Sequence, residues 1–231
     1  MTVFKYAMLR GFMQPVSLIA NTIVPIMLFI FSNENSFGMN NEARGYFMMA
    51  LLILFGAFMM AGGIQRDKID GVTLRILAGP LTFRSYLVQN FFAGLMPMTV
   101  LIFILGVLGI ILHGWNVIFT VWVSLTYILL SATSIGLSFV WSLWFKDKES
   151  GVVTFSFSLT LMAFMGGIML PFSILPPVIR NIGALFPVHW AARAFEALLA
   201  EGANLEYAFS LFILLLFTVV LILYGSKRRI I

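Results

Sequence analysis

The stretch Phe91–Leu112, FFAGLMPMTVLIFILGVLGIIL, is uncharged over its whole length, and this sets the class of fold. A helix of about 20 apolar residues crosses the hydrocarbon core of a bilayer, which is roughly 30 Å thick. Backbone amides and carbonyls inside lipid must be hydrogen-bonded within their own segment, which a helix achieves. Phe91–Leu112 is therefore predicted to be a transmembrane helix.

Five further segments of the chain have similar length and polarity. They are Phe12–Phe31, Tyr46–Ile64, Val117–Trp141, Val152–Leu170 and Ala208–Tyr224. Hydrophobic residues make up 61% of the 231 residues and charged residues 10%, whereas a soluble domain is about 25% charged. None of the six segments alternates like a β-barrel strand. We therefore predict an all-α membrane protein with six transmembrane helices, organised as a single transmembrane domain over residues 1–231.

Basic residues are distributed unevenly between the connections. If both termini face the cytoplasm, the segments on that side hold Lys5, Arg10, Arg66, Lys68, Arg75, Arg84, Lys146, Lys148, Lys227, Arg228 and Arg229, and Arg44, Arg180 and Arg193 remain outside. Short cytoplasmic loops are enriched in Lys and Arg. We predict a multi-pass protein of the cell membrane with cytoplasmic N and C termini. Nucleic acid is not an expected partner, because the basic residues are scattered over separate segments.

The sequence lacks the common motifs of enzyme chemistry. It contains no cysteine, no His-Glu-x-x-His zinc motif and no Gly-x-x-x-x-Gly-Lys-Ser/Thr phosphate loop. Ser131, Ser134 and Ser138 share one predicted helix, with His113 and His189 near its outer side, but a Gly-x-Ser nucleophile context is missing. The apolar segments carry no Asp, Glu, Lys or Arg at their centres, where an ion-coupled carrier places one. We expect no catalytic activity, no bound cofactor and an external source of energy.

A charged, amphipathic segment separates the second and third spans. Its polar face consists of Arg66, Asp67, Lys68, Asp70 and Arg75, and its apolar face of Ile69, Val72, Ile76 and Leu77. Gly79-Pro80 is expected to end the helix, because proline cannot continue it. The pattern fits either a helix lying on the inner leaflet or a short helix presented to a groove on a cytosolic partner.

The longest external connection, Pro171–Tyr207, combines prolines with residues of strong helix propensity at Ala191–Leu199. Short amphipathic segments of this kind suit interfacial or re-entrant helices that enter the outer leaflet without crossing it. Such helices either cap the bundle, or they line or gate its outer exit.

Two motifs resemble those of ABC-2-type transporter permeases. The first motif consists of Arg66, Asp67, Gly71, Thr73, Leu74, Ile76, Leu77, Pro80 and Leu81. The second motif is similar to the outer hairpin before the family's last span, and it consists of Gly166-Gly167, Pro171, Leu175-Pro176, Ile182 and Phe186–Trp190. Phe4–Met13 resembles the family's amphipathic elbow helix. The sequence departs from the family pattern at Val72, at Gly79 and at Gln89-Asn90, where Gly-Lys is common.

The resemblance implies a permease that dimerises with an identical or paralogous permease and binds two cytosolic ABC ATPase subunits, which hold ATP and Mg. The implied coupling helix that contacts the ATPase comprises Arg66, Asp67, Asp70, Gly71, Thr73, Leu74, Ile76, Leu77 and Pro80, and the outer re-entrant region includes Pro171, Pro176, Pro187, His189 and Trp190. The resemblance also implies export, and the uncharged spans favour a hydrophobic or amphipathic cargo, such as a drug, an antibiotic, a peptide or a lipid-like molecule. A membrane-embedded enzyme and a membrane scaffold or immunity protein remain as alternatives.

Overall fold

A computed structural model describes residues 3–7, 22–31, 41–61, 82–145, 148–170 and 172–227, together with Gly63, Asp67, Gly71, Val72, Arg75 and Ala78. Within these ranges the elements are α1 Val24–Phe31, α2 Asn41–Ala61, α3 Phe83–His113, α4 Val117–Trp144, α5 Lys148–Met165, α6 Pro177–Gly183, α7 Pro187–Glu201 and α8 Leu205–Lys227. Residues 3–7 are also helical, and no strand occurs in the described part of the chain.

Three of the described helices, α3, α4 and α8, are long and apolar enough to cross a membrane. Shorter apolar helices cover Tyr46–Met59 within α2 and Ser150–Met165 within α5. These five helices coincide with the second to sixth predicted segments, which confirms the all-helical membrane class. The predicted first span, Phe12–Phe31, is described only from residue 22 onward, so the number of six spans stays a prediction.

Local capping sets the ends of the two longest helices. The Thr82 hydroxyl oxygen accepts a hydrogen bond from the Ser85 backbone N–H at 3.3 Å, so α3 begins one turn or more before the predicted span at Phe91. It ends at Gly114, whose φ of 63° is a left-handed conformation that favours glycine. Asn116 then caps α4 by accepting from the Ile118 backbone N–H at 3.0 Å.

Helix α4 lies at the centre of the bundle, in contact with α2, α3, α5, α7 and α8. Its hydrogen bonds to α2 join residues 80 and 81 positions apart, and those to α8 join residues 81 and 85 positions apart. Because the sequence separation between bonded residues stays nearly constant along each helix pair, α2, α4 and α8 run in the same direction. Helix α3 is antiparallel to α4, because Phe91 packs on Phe139 and Gly106 lies against Thr120. The helix directions therefore alternate as a multi-span topology requires.

Buried hydroxyl groups connect the parallel helices. The Ser134 hydroxyl donates to the Leu54 carbonyl of α2 at 2.7 Å, and the hydroxyls of Thr133 and Thr218 are 2.8 Å apart between α4 and α8. Interhelical hydrogen bonds of this kind stabilise membrane bundles. Ser134 thus has a structural partner, and no recorded contact in the described part of the chain joins it to a histidine.

Aromatic side chains gather at both ends of α4. In one cluster the Tyr46 ring lies 5.2 to 6.4 Å, between centroids, from the rings of Trp115, Phe119 and Phe195. Trp115 in turn lies 5.5 Å from Phe29. The other cluster contains Trp141, Trp144 and Phe145. The 28 residues of α4 span about 42 Å, close to the roughly 40–45 Å of a bilayer with its headgroups. Aromatic residues are enriched at both membrane interfaces, so this spacing suits a helix that crosses a bilayer.

Candidate functional site

The two ends of the bundle differ in the elements and charged residues that form them. The basic end comprises residues 3–7, the first two turns of α3 and the last turn of α8. Phe4 bonds to Gln89 of α3, and Gly225 of α8 approaches Leu87 of α3. The hairpin end comprises α6, α7 and the first turns of α4 and α8, where Arg193 of α7 pairs with Glu206 of α8.

The predicted coupling helix leads into the basic end. Asp67 and Gly71 of this prediction are described, whereas Arg66, Asp70, Thr73, Leu74, Ile76, Leu77 and Pro80 lie outside the described residues. The backbone is helical at Asp67, Val72 and Arg75. Gly71, with a φ of 68°, interrupts it, and the Arg75 N–H then donates to the Gly71 carbonyl at 3.3 Å. Glycine is required there because a left-handed backbone is costly for other residues.

A buried hydrogen bond attaches this segment to α3. The Tyr86 hydroxyl donates to Asp67 Oδ2 at 2.6 Å, and both side chains are buried. A carboxylate removed from water is stable only when it is well hydrogen-bonded. The bond therefore holds the start of the predicted coupling segment against the first turn of α3. Sequence reasoning missed Tyr86, because no local pattern links residues 19 positions apart.

The helical residues 3–7 are attached to the same turns of α3. The Phe4 backbone N–H donates to Gln89 Oε1 at 3.2 Å, and Gln89 Nε2 donates to the Ser85 hydroxyl at 3.0 Å. Gln89 lies three residues after Tyr86, hence on the same face of α3. Gln89, which departs from the family pattern, thus attaches the predicted elbow region to α3. The identity of that region as an elbow helix stays a prediction.

The outer region predicted from the prolines contains two helices at the hairpin end. Pro176 precedes α6, and Pro187 is the first residue of α7, where the missing proline N–H is tolerated. Pro171 lies outside the described residues. Helix α7 is not merely peripheral, because its face of Val188, Ala191, Ala192, Ala194 and Phe195 is fully buried. With 15 residues and a length of about 22 Å, it is too short to cross a membrane.

Glycines allow close backbone contact within this hairpin. A methyl group at Gly166 would lie 2.6 Å from the Met162 carbonyl oxygen and 3.0 Å from the backbone nitrogen of His189. A methyl group at Gly183 would overlap the carbonyl of Met165. The end of α5 therefore packs directly on the backbones of α6 and α7, which gives a physical reason for glycine at both positions.

His189 is buried at the centre of the hairpin, with 3% of its surface exposed. Its ring lies 4.8 Å from that of Phe172, and its Nδ1 has no hydrogen-bond partner among the described residues. Burial lowers the pKa of His189 to about 4, and the charges of Arg193 and Arg180 add to this effect. The imidazole is therefore neutral at neutral pH. The neighbouring Trp190 indole donates to the Ala184 carbonyl at 3.0 Å, which ties α7 to the turn after α6.

Charged residues also cross-link the hairpin end. Arg193 Nη1 lies 2.8 Å from Glu206 Oε1, joining α7 to α8. One turn along α7, burial raises the pKa of Glu196, and nearby Glu206 acts in the same direction, whereas Arg193 and the Phe172 backbone N–H oppose the shift. No group of residues suited to holding a metal ion occurs in the described part of the chain.

The exposed face of α5 differs from that of α8. Every exposed residue between Phe209 and Leu223 of α8 is apolar, as expected for contact with lipid. On α5 the exposed Phe157, Leu161 and Phe164 alternate with Ser150, Thr154 and Thr160. The hydroxyls of Thr154, Ser158 and Thr160 donate to carbonyls one turn earlier in α5. The four-residue spacing of Ser150, Thr154 and Ser158 is visible in the sequence, although it did not enter the predictions.

The fold and these two ends define a helical membrane protein with a hairpin of short helices at one end and a charged connection at the other. The family model for ABC-2 family transporter protein matches residues 4–227, so the chain belongs to this family. It is a permease, the membrane subunit of an ABC transport system, and it is not itself catalytic. Family members associate with an ABC ATPase and dimerise. No curated protein matches the chain closely enough to add to this assignment.

Proposed function

We propose that this chain is the permease of an ATP-driven exporter in the cell membrane. Two copies, or one copy and a paralogue, associate with two cytosolic ATPase subunits, and those subunits bind ATP and Mg. The family match over residues 4–227 carries this proposal. The contacts at the basic end support a route by which a cytosolic subunit acts on the membrane helices.

That route begins at the segment before α3. Closure of the ATPase subunits moves the coupling segment, and the bond between Asp67 and Tyr86 passes the movement to α3. Helix α3 has 31 residues and is about 46 Å long, so a displacement of its first turn reaches the opposite side of the membrane. ATP shifts the population of permease states only if it favours one position of this segment over the other.

The orientation proposed for the chain places the basic end in the cytoplasm. At this end and in the coupling segment that leads into it, the described side chains Lys5, Arg75, Arg84 and Lys227 accompany one carboxylate, Asp67. The hairpin end holds Arg180 and Arg193 together with the carboxylates Glu196, Glu201 and Glu206. Basic residues favour the cytoplasmic side, so the hairpin end faces outward.

The cargo proposed is hydrophobic or amphipathic. The exposed α5 face combines large apolar groups with hydroxyls and carries no charge between Val153 and Phe164. Such a surface contacts apolar groups by area and offers a few weak hydrogen bonds, as ligand sites commonly do. A small inorganic ion needs charged or closely spaced polar ligands instead. A drug, antibiotic, peptide or lipid-like molecule fits this face better.

Two matched glycine variants test the role of the coupling segment. Gly71 and Gly114 have φ values of 68° and 63°, and an added methyl group meets no atom within 4 Å at either position. Alanine therefore introduces similar backbone strain, about 1–2 kcal/mol, at opposite ends of the bundle. In proteoliposomes with the cognate ATPase and a cargo panel, Gly71→Ala is expected to lower transport per ATP hydrolysed, whereas Gly114→Ala leaves this ratio unchanged.

The proposal fails if the purified complex shows no vanadate-sensitive ATP hydrolysis and no nucleotide-dependent transport. A chain that binds a partner without either activity would be a membrane scaffold. Transport of an inorganic ion alone would contradict the proposed class of cargo. Equal effects of the two glycine variants on the coupling ratio would remove the role assigned to the segment around Gly71.

A further inference from the structure

Residues 3–7 and the last turn of α8 both pack on the first two turns of α3. The Phe4 N–H bonds to Gln89, and Val3 packs on the cluster that contains Leu87. Gly225 of α8 also approaches the Leu87 side chain, with 3.8 Å between the position of an added Cβ and Leu87 Cδ1. These contacts bring residues that are more than 200 positions apart in the sequence to one end of the bundle.

Each of these elements contributes an exposed cation. Lys5 belongs to residues 3–7, Arg84 to the first turn of α3 and Lys227 to the last turn of α8, and all three side chains are exposed. The first turn of α3 contains no acidic residue. Asp67 is the acidic side chain described at this end, and it is buried in its bond with Tyr86. The three cations therefore face outward without a described carboxylate among them.

Exposed apolar and aromatic side chains border these cations. Tyr6, next to Lys5, is 73% exposed. The apolar face of α8 continues through the exposed Leu223 and Tyr224 to Lys227. Tyrosine rings favour the headgroup level of a bilayer, and lysine side chains extend from apolar surface toward that level. The cations thus lie at the edge of the surface that lipid tails cover.

We propose that Lys5, Arg84 and Lys227 form a binding site for the phosphate groups of anionic phospholipids. Basic clusters beside membrane helices attract anionic lipid, and each Lys or Arg adds to the preference. The assignment to lipid follows from position, because the cations border a lipid-covered face rather than a groove. Only the placement of this site in the inner leaflet rests on the proposed function. Binding itself requires neither the ATPase nor a cargo.

Lipid retention by the purified full-length chain tests the site. The chain is solubilised with equal amounts of phosphatidylglycerol and phosphatidylcholine, and retained lipids are counted by native mass spectrometry. Since each of the three cations adds to the preference, we expect the unmodified chain to retain phosphatidylglycerol about a hundredfold more than phosphatidylcholine. The triple variant Lys5→Gln, Arg84→Gln, Lys227→Gln should lose this preference. The charge-conserving variant Lys5→Arg, Arg84→Lys, Lys227→Arg should keep it.

A matched control removes charge at the hairpin end through Arg180→Gln and Arg193→Gln, and it should retain phosphatidylglycerol like the unmodified chain. Equal retention of the two lipids by the unmodified chain would overturn the proposal, as would an equal loss of preference in the hairpin-end control. If the triple Gln variant keeps its lipid preference but no longer co-purifies with the ATPase, the cations form a protein-docking surface and the lipid site is refuted. Because retention is measured without the ATPase, its failure is distinct from failure of the export function.

Discussion

Replacement of Tyr86 by phenylalanine weakens the attachment of the coupling segment to α3 with the smallest chemical change. The variant removes one hydroxyl, the donor of the 2.6 Å bond to Asp67, and keeps the ring that stacks on Phe83 with centroids 6.3 Å apart. Hydrogen bonds to charged groups contribute about 1.5–3 kcal/mol. Since about 1.4 kcal/mol corresponds to a factor of ten, the attached arrangement should become about ten- to a hundredfold less populated relative to the detached one.

The expected result is a loss of transport per ATP hydrolysed, with ATP hydrolysis retained. The assay uses proteoliposomes that contain the permease and its ATPase, and it records transported cargo and released phosphate in the same sample. Tyr207→Phe is the control. Its hydroxyl donates to the Trp122 carbonyl at 2.7 Å and lies 3.1 Å from the Thr126 hydroxyl. This variant should lower thermal stability and leave the coupling ratio unchanged.

The reasoning is refuted if Tyr86→Phe lowers thermal stability to the same extent as Tyr207→Phe while transport per ATP stays at the level of the unmodified protein. In that case the bond to Asp67 supports the fold without passing on movement. An equal loss of coupling in both variants would mean that general loosening of the bundle, rather than this contact, limits transport.

Three further predictions concern the hairpin end and the topology. Gly183→Ala, whose methyl group would overlap a backbone carbonyl, should destabilise the protein by about 1–3 kcal/mol, whereas Gly225→Ala should change the Tm little because its methyl group has room. The free energy of unfolding should fall as the pH drops from 6.5 toward 4, by at most about 1.4 kcal/mol per pH unit. The cause is that the unfolded chain binds a proton in this range, whereas His189 in the folded protein does not, because its pKa is lowered to about 4. His189→Gln should therefore flatten this part of the plot of stability against pH. In this cysteine-free chain, a membrane-impermeant maleimide should label Lys5→Cys from the cytoplasmic side and Arg193→Cys from outside.

Each of these predictions has a defined contrary result. Equal Tm changes in Gly183→Ala and Gly225→Ala would show that the backbone at the end of α5 moves to accommodate the methyl group added at Gly183. An unchanged acid profile in His189→Gln would assign the acid response to other groups. Glu196 changes the stability in the opposite direction. Because its pKa is raised in the folded protein, its contribution to the free energy of unfolding decreases as the pH rises through its titration. Labelling of both cysteines from one side would contradict the proposed orientation.

Hydropathy and charge along the chain were sufficient for the class of fold and for the positions of five helices. Each of these properties acts locally: a run of apolar residues must form a helix in lipid, whatever its neighbours are. The motif around Gly71 and the outer hairpin also sufficed to indicate the family, which the match over residues 4–227 confirms. The first span and most of the predicted coupling helix lie outside the described residues and stay predictions.

Contacts between distant segments were beyond the reach of such patterns. The pairing of Asp67 with Tyr86, the bond from Phe4 to Gln89 and the overlap that excludes a side chain at Gly183 all depend on how the helices are placed. A hydroxyl in an apolar helix can bond to its own turn or to a neighbour, and the fold assigns Ser134 to Leu54 but Thr160 to its own helix. Local sequence established which segments enter the membrane, and packing established which of their polar atoms join one helix to the next.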